Sequence, residues 1–155
     1  MSKNKGFSLT SAERYSLALY ELANDNNLLE KIENQSSSIL DLISKSKDFS
    51  HFVKDPTCSK ENLLKVIDNI SENNKFENLL KNFLRFLIVK RRFFYIEQIL
   101  KSFIEICSKK RGELKAELKS AKKLSSDEIS KINEELSQNF SSKIKLNYKH
   151  DESLI

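Results

Sequence analysis

Apolar residues recur every three to four positions along most of this chain and every two positions near its end. Phe76, Leu79, Leu80, Phe83, Leu84, Leu87 and Ile88 fall at i, i+3, i+4, i+7, i+8, i+11 and i+12. That spacing lays one apolar stripe along a helix, with polar side chains opposite. Ile96, Ile99, Leu100, Phe103, Ile104 and Cys107 repeat the pattern after a basic break at Lys90, Arg91 and Arg92. Neither stripe can stay in water, so both need partner helices.

The preceding residues supply them. Thr10 and Glu13 have the spacing of a capping box, in which each side chain accepts a hydrogen bond from the other residue's backbone N–H. Tyr15, Ala18, Leu19, Leu22 and Ala23 follow on one face, with Leu17 and Tyr20 adding apolar surface off it. Asn24 to Asn27 ends that helix, because these side chains favour turns. A second helix is predicted from about Leu28 to Lys45, its stripe weakened where Ser36 takes an apolar position. A short amphipathic piece runs from Asp48 to Lys54 and stops at Asp55–Pro56, since the residue before a proline is pushed out of the helical region. His51, beside Phe49 and Phe52, is expected to be a partly buried structural histidine. Ser59 caps a fourth helix carrying Leu63, Leu64, Ile67 and Ile70, and Asn73–Asn74 forms the next turn. Short polar connections imply antiparallel neighbours, so this part reads as a bundle of six helices.

At Gly112 the period changes. Leu114, Ala116 and Leu118 alternate with Lys115, Glu117 and Lys119, as in a half-buried strand. Ser125 and Glu128 form a second capping box ahead of a helix bearing Ile129, Ile132, Leu136 and Phe140. Ile144, Leu146 and Tyr148 then alternate with Lys145, Asn147 and Lys149 as a second strand. Strand, helix and strand make a βαβ-type unit with a thin core. The fold class is therefore mainly α: a six-helix bundle over 1–111, then a small incomplete α/β domain over 112–155.

Composition narrows the function. The chain has 155 residues, with 27 basic against 22 acidic, a net charge of +5. The two signs are interspersed, which describes a solvated surface with a mild positive bias. Two glycines and one proline argue against a sandwich or barrel. Cys58, Cys107, His51 and His150 have no metal-like spacing, so no metal or cofactor is expected and the thiols read as reduced. No apolar run approaches the roughly 20 residues that span a bilayer. There is no glycine-rich phosphate loop, nucleophile elbow or paired histidine. Glu134 and Glu135 are adjacent on a helix and point different ways. An enzyme is not expected. Lys90–Arg92, Lys109–Arg111 and Lys122–Lys123 sit at helix ends or turns, where they complement the helix dipole. They lack the interleaved aromatic residues of a base-stacking platform. A basic helical RNA-binding module is the alternative reading.

Taken together, these segments resemble the ATP synthase delta subunit family, whose mitochondrial members are the oligomycin-sensitivity-conferring proteins. Arg14-Tyr15-Ser16-Leu17-Ala18-Leu19-Tyr20-Glu21-Leu22-Ala23 is similar to the family's opening motif. Phe52 to Pro56 stands at the family's break after its short third helix, and Asn82 to Leu87 with Arg91–Arg92 resembles its fifth helix. Arg111–Gly112, Ala116 to Ala121 and Leu124–Ser125 resemble its junction of helix, strand and capped helix. Lys143 to Tyr148 with Asp151 to Ile155 resemble its late signature. The family continues with two glycines, a strand and a terminal helix, so the resemblance implies a C-terminally truncated second domain. His150 departs from the usual apolar residue.

The resemblance implies a non-catalytic stator subunit, peripheral to the bacterial inner (plasma) membrane on its cytoplasmic side. The helical domain is then expected to receive N-terminal helices of the alpha subunits, and the second domain to contact the peripheral-stalk b subunit. Nucleic acid is not an expected partner. Helix-in-groove binding needs an apolar slot. Arg14, Tyr15, Ala18, Leu19 and Leu22 on the first helix, with Phe83, Phe86, Leu87 and Lys90 on the fifth, are the candidate lining. Ala18 allows close approach, and Arg14 and Lys90 supply a polar rim. For Leu22, Phe83 and Leu87 a place in the bundle core is an equal alternative.

Overall fold

Every predicted stripe is a helix in the computed structural model, which describes residues 2–154, with side chains from residue 11 onward. The helices are α1 (Ser2–Asp25), α2 (Leu29–Lys45), α3 (Lys47–Lys54), α4 (Lys60–Asn73), α5 (Asn78–Val89) and α6 (Ile96–Lys110). A short 3-10 turn, Phe93–Tyr95, leads into α6. The expected capping box at Thr10 lies outside the described side chains. The chain forms two compact units, Met1–Cys107 and Ser108–Ile155.

Local chemistry sets the helix starts in the first unit. The Phe49 N–H donates to Ser46 Oγ at 3.2 Å at the head of α3, and the Asn62 N–H donates to Ser59 Oγ at 3.2 Å at the head of α4. Each bond satisfies one N–H that the helix itself leaves unpaired. α5 lacks a side-chain cap of its own. Gln35, on α2, supplies one from across the bundle, its Oε1 accepting the Glu77 N–H at 3.0 Å. Phe76, predicted on this helix, precedes it.

Four helices end in the same way. After α1, α4, α5 and α6, one residue takes a left-handed backbone: Asn27 (φ 56°), Lys75 (φ 51°), Arg91 (φ 56°) and Gly112 (φ 71°). Its N–H returns to the carbonyl three residues back, and the next N–H to the carbonyl five residues back. The pairs are Asn27–Asn24 with Leu28–Ala23, Lys75–Glu72 with Phe76–Ser71, Arg91–Ile88 with Arg92–Leu87, and Gly112–Lys109 with Glu113–Ser108. These are Schellman motifs, a geometry that favours glycine. Only Gly112 of the four takes it without Cβ strain.

The core of the first unit draws on all six helices: Leu19, Ile32, Val53, Ile67, Leu84 and Phe103 are each buried, alongside the rest of the stripes. Ser36 is wholly buried at its stripe position. Ser16 is buried too, its hydroxyl 2.6 Å from Ala12 O and 2.8 Å from Ile99 O, which ties α1 to α6. Arg85 on α5 grips Asp68 on α4 through Nη1, at 2.7 and 2.6 Å. His51 is exposed, not partly buried: Phe49 and Val53 take the inward positions of α3, and residue 51 falls on the opposite side.

In the second unit, β1 (Leu114–Ser120) and β2 (Ile144–His150) pair in parallel, from Leu114 with Ile144 to Ser120 with His150. They are joined through α7 (Ser126–Phe140). Its capping box is complete: the Glu128 N–H donates to Ser125 Oγ at 3.3 Å and the Ser125 N–H to Glu128 Oε2 at 2.8 Å. Ala116, Leu118, Leu146 and Tyr148 are half-buried, and Ile144 is buried at 8% exposure. The Tyr148 hydroxyl accepts the Leu124 N–H at 3.0 Å and donates to Lys122 O at 3.2 Å, pinning the loop that leads to α7. The alternate residues face water. A 3-10 turn, Glu152–Leu154, follows β2.

Candidate protein-docking site

α1 carries two neighbouring stripes with different fates. Ala12, Ser16, Leu19 and Ala23 point into the core. Tyr15, Ala18 and Leu22, at i, i+3 and i+7, form the adjacent line. Tyr15 is half-buried, Ala18 exposed, and Leu22 49% exposed. α5 divides likewise. Leu80, Phe83, Leu84, Leu87 and Ile88 are buried, whereas Phe86 is 44% exposed.

The two outer lines meet. The Tyr15 and Phe86 rings lie edge to face, 6.2 Å between centroids and 61° between planes, a favoured aromatic arrangement. Lys90 Nζ sits 5.8 Å from the Phe86 centroid, within cation–π range. The result is an apolar strip where α1 runs beside α5, with Lys90 over one aromatic ring. Arg14 is exposed on α1, one residue before Tyr15.

Of the nine candidate lining residues, Arg14, Tyr15, Ala18, Leu22, Phe86 and Lys90 therefore have surface to offer. Leu19, Phe83 and Leu87 do not, at 0%, 7% and 0% exposure: Phe83 and Leu87 take the core alternative, which Leu22 does not, and the assignment of Leu19 to the lining is corrected. All three occupy the inward stripe, and contact with a ligand there would require opening the core. Val89, 54% exposed and one turn beyond Phe86, extends the apolar surface of α5. Its signal in the sequence was an apolar residue lying off the buried stripe.

Among the described residues no group of His, Cys, Asp and Glu is able to hold a metal ion, and no helix is long and apolar enough to cross a membrane. In the first unit, hydrogen bonds hold the carboxyls of Asp55 and Glu97 below their ordinary values. The donors are Thr57 for Asp55 and Lys101 for Glu97. Neither residue belongs to the strip. What α1 and α5 present is contact surface: apolar area, two aromatic rings and fixed positive charge.

The fold is thus a helical bundle bearing an open apolar strip, followed in the chain by a separate strand-helix-strand unit. The family described as "ATP synthase delta (OSCP) subunit" matches residues 12–155. An ATP synthase subunit delta from Pelagibacter ubique (strain HTCC1062) is 64% identical over all 155 residues, which cover 84% of that protein. One from Clostridium perfringens (strain SM101 / Type A) is 34% identical over 142 residues, 92% of this chain and 79% of the relative. A chain in the cryo-EM structure of the Toxoplasma gondii mitochondrial ATP synthase hexamer shares the fold. Its TM-score is 0.76 at 24% identity, over 90% of this chain and 77% of that one.

The chain belongs to the ATP synthase delta (OSCP) subunit family. Its function is that of a stator subunit in the rotary ATP synthase, working with other subunits of that complex. Its relatives are non-catalytic subunits of an enzyme complex. The comparisons support this reading and not the RNA-binding alternative.

Proposed function

We propose that the strip formed by Tyr15, Ala18, Leu22, Phe86 and Val89 receives the N-terminal helix of an alpha subunit of the ATP synthase. The strand-helix-strand unit, in the same reading, contacts the peripheral-stalk b subunit. The protein thereby links the catalytic head to the stalk and resists rotor torque while proton flow drives ATP synthesis. It acts peripherally at the bacterial plasma membrane, on the cytoplasmic side, through the complex and with no insertion of its own.

The observation that carries the reading is the exposure of Leu22 and Phe86 beside fully buried neighbours on the same two helices. A bundle that served only itself gains by turning such side chains inward, since burying a Leu or Phe side chain is worth about 1.5–3 kcal/mol. An amphipathic helix laid on the strip covers them. Ala18 keeps the floor low, and Arg14 and Lys90 suit carboxylates on the incoming helix. Titration calorimetry of a synthetic alpha N-terminal peptide from the same organism into the full chain tests this. Saturable heat at a single site is expected; no heat, together with no competition by unlabelled peptide in a parallel fluorescence titration, refutes it.

A further inference from the structure

The outer face of the β1–β2 sheet carries an arrangement that folding alone does not favour. Parallel pairing sets Lys115 against Lys145 and Lys119 against Lys149, with Glu117 against Asn147 between them. All six side chains are exposed. Like charges directly opposite one another on a sheet are destabilising, yet here two such pairs share one face. Glu117 relieves one pair, with Lys149 at 2.8 Å and Lys119 at 3.9 Å. Lys115 and Lys145 make no ion pair within 4.0 Å among the described residues. Glu113, which attracts Lys145 electrostatically, is held first by Arg111 at 2.8 Å.

We propose that this face is where the unit receives an acidic helix of the peripheral-stalk subunit. The proposal rests on the reading that the unit contacts that subunit, and it adds the face and the chemistry. Lys115 and Lys119 are four residues apart, about 13 Å along a strand, and the strands are about 4.8 Å apart. A helix lying along the strands advances about 10.5–12 Å in seven or eight residues. Carboxylates at i and i+7 or i+8 therefore reach the two lysine pairs together. The residue near i+4 lies over Glu117 and Asn147, so it is basic, an amide or small. That alternation is the recognition signature: acidic ends two turns apart and a non-acidic centre. Charge complementarity of this kind raises the association rate and fixes register.

Lysines also keep exposed strand edges from pairing with other chains, and the experiment separates the two roles. The soluble segment of the stalk subunit from the same organism is titrated into the full chain and into a K115Q/K119Q/K145Q/K149Q variant. Thermal melting and sedimentation are measured on both proteins. The expected result is about a tenfold or greater loss of affinity, a flatter salt dependence, and a melt that is unchanged or higher because the opposed charges are gone. Equal binding by the variant overturns the proposal and leaves the stalk contact standing. Self-association of the variant with intact binding overturns it too, and assigns the lysines to edge protection. Failure of the unaltered chain to bind the stalk segment removes the contact itself, and with it the proposal.

Discussion

The two units are stabilised in different ways. In the first, every helix sends apolar side chains into one shared core, and Phe103, Leu19 and Leu87 are completely sealed from solvent. In the second, Ile144 is the buried apolar side chain among the described residues, and hydrogen bonds at the surface do much of the holding. The Ser125–Glu128 box, the Tyr148 hydroxyl and the Asp151–Ser153 turn are all of this kind. A deep core tolerates an exposed apolar strip, because losing a few contacts leaves most of the burial intact. A thin one leans on polar contacts, which respond to pH and salt.

The largest consequence lies in the core. Phe103→Ala is expected to cost about 3–5 kcal/mol, the usual loss for a buried aromatic, read as a lowered denaturant midpoint for the helical unit. A cost below about 1 kcal/mol means that the helices close over the cavity and that the contrast is overstated. Ser125→Ala comes next, at about 1 kcal/mol. Faster hydrogen exchange should appear in α7 and not in α1–α6; an equal rise everywhere shows instead that the two units unfold as one. Lys75→Gly runs the other way. It removes the Cβ from a left-handed position and is expected to add about 0.5–1 kcal/mol, seen as a higher midpoint for the helical unit. No gain there means that Lys75 makes compensating contacts.

The smallest effect is that of pH; Asp55 and Glu97 bring some of it to the first unit, but it falls first on the second, whose core is thin. Lys149 beside Glu117, and Ser125 beside Glu128, hold those carboxyls below their ordinary value of 4.5. Ser153 does the same for Asp151, whose ordinary value is 3.8. A carboxyl lowered by folding stabilises the fold above its unfolded value, and that stability is lost as pH falls through the folded one. Lys149 is raised above 10.5 by Glu117. Its contribution is whole below that value and is lost as pH rises past it. Exchange in β1, α7 and β2 should therefore quicken below about pH 4 and again above about pH 10.5, ahead of the helical unit. A first loss in α1–α6 contradicts the comparison.

Much of this architecture was legible because local rules and tertiary packing agree. The change of period at Gly112, the proline stop after Lys54 and the second capping box each name an element boundary on local grounds. The 3-10 turn at Phe93–Tyr95 was not legible, since its three aromatic residues look like a continuation of the next stripe. The docking strip was legible only in part. Leu19 and Leu22 are chemically alike and three residues apart; one is buried, the other half exposed. Periodicity assigns both to an apolar face and carries no mark for which edge of that face a neighbouring helix covers. The partner at that edge is α6, fixed to α1 through Ser16 and Ile99 O, and a lone serine in a stripe does not announce such a contact.

The central claim is that Leu22 and Phe86 belong to a partner's binding surface and not to the fold. Phe86→Asp and Leu22→Asp, each titrated with the alpha N-terminal peptide and melted beside the unaltered chain, address it directly. Binding should weaken by about tenfold or more, with melting temperatures that hardly move. Full binding by both variants, or a collapse in stability as large as that of Phe103→Ala, returns these side chains to the core and leaves the strip without a function.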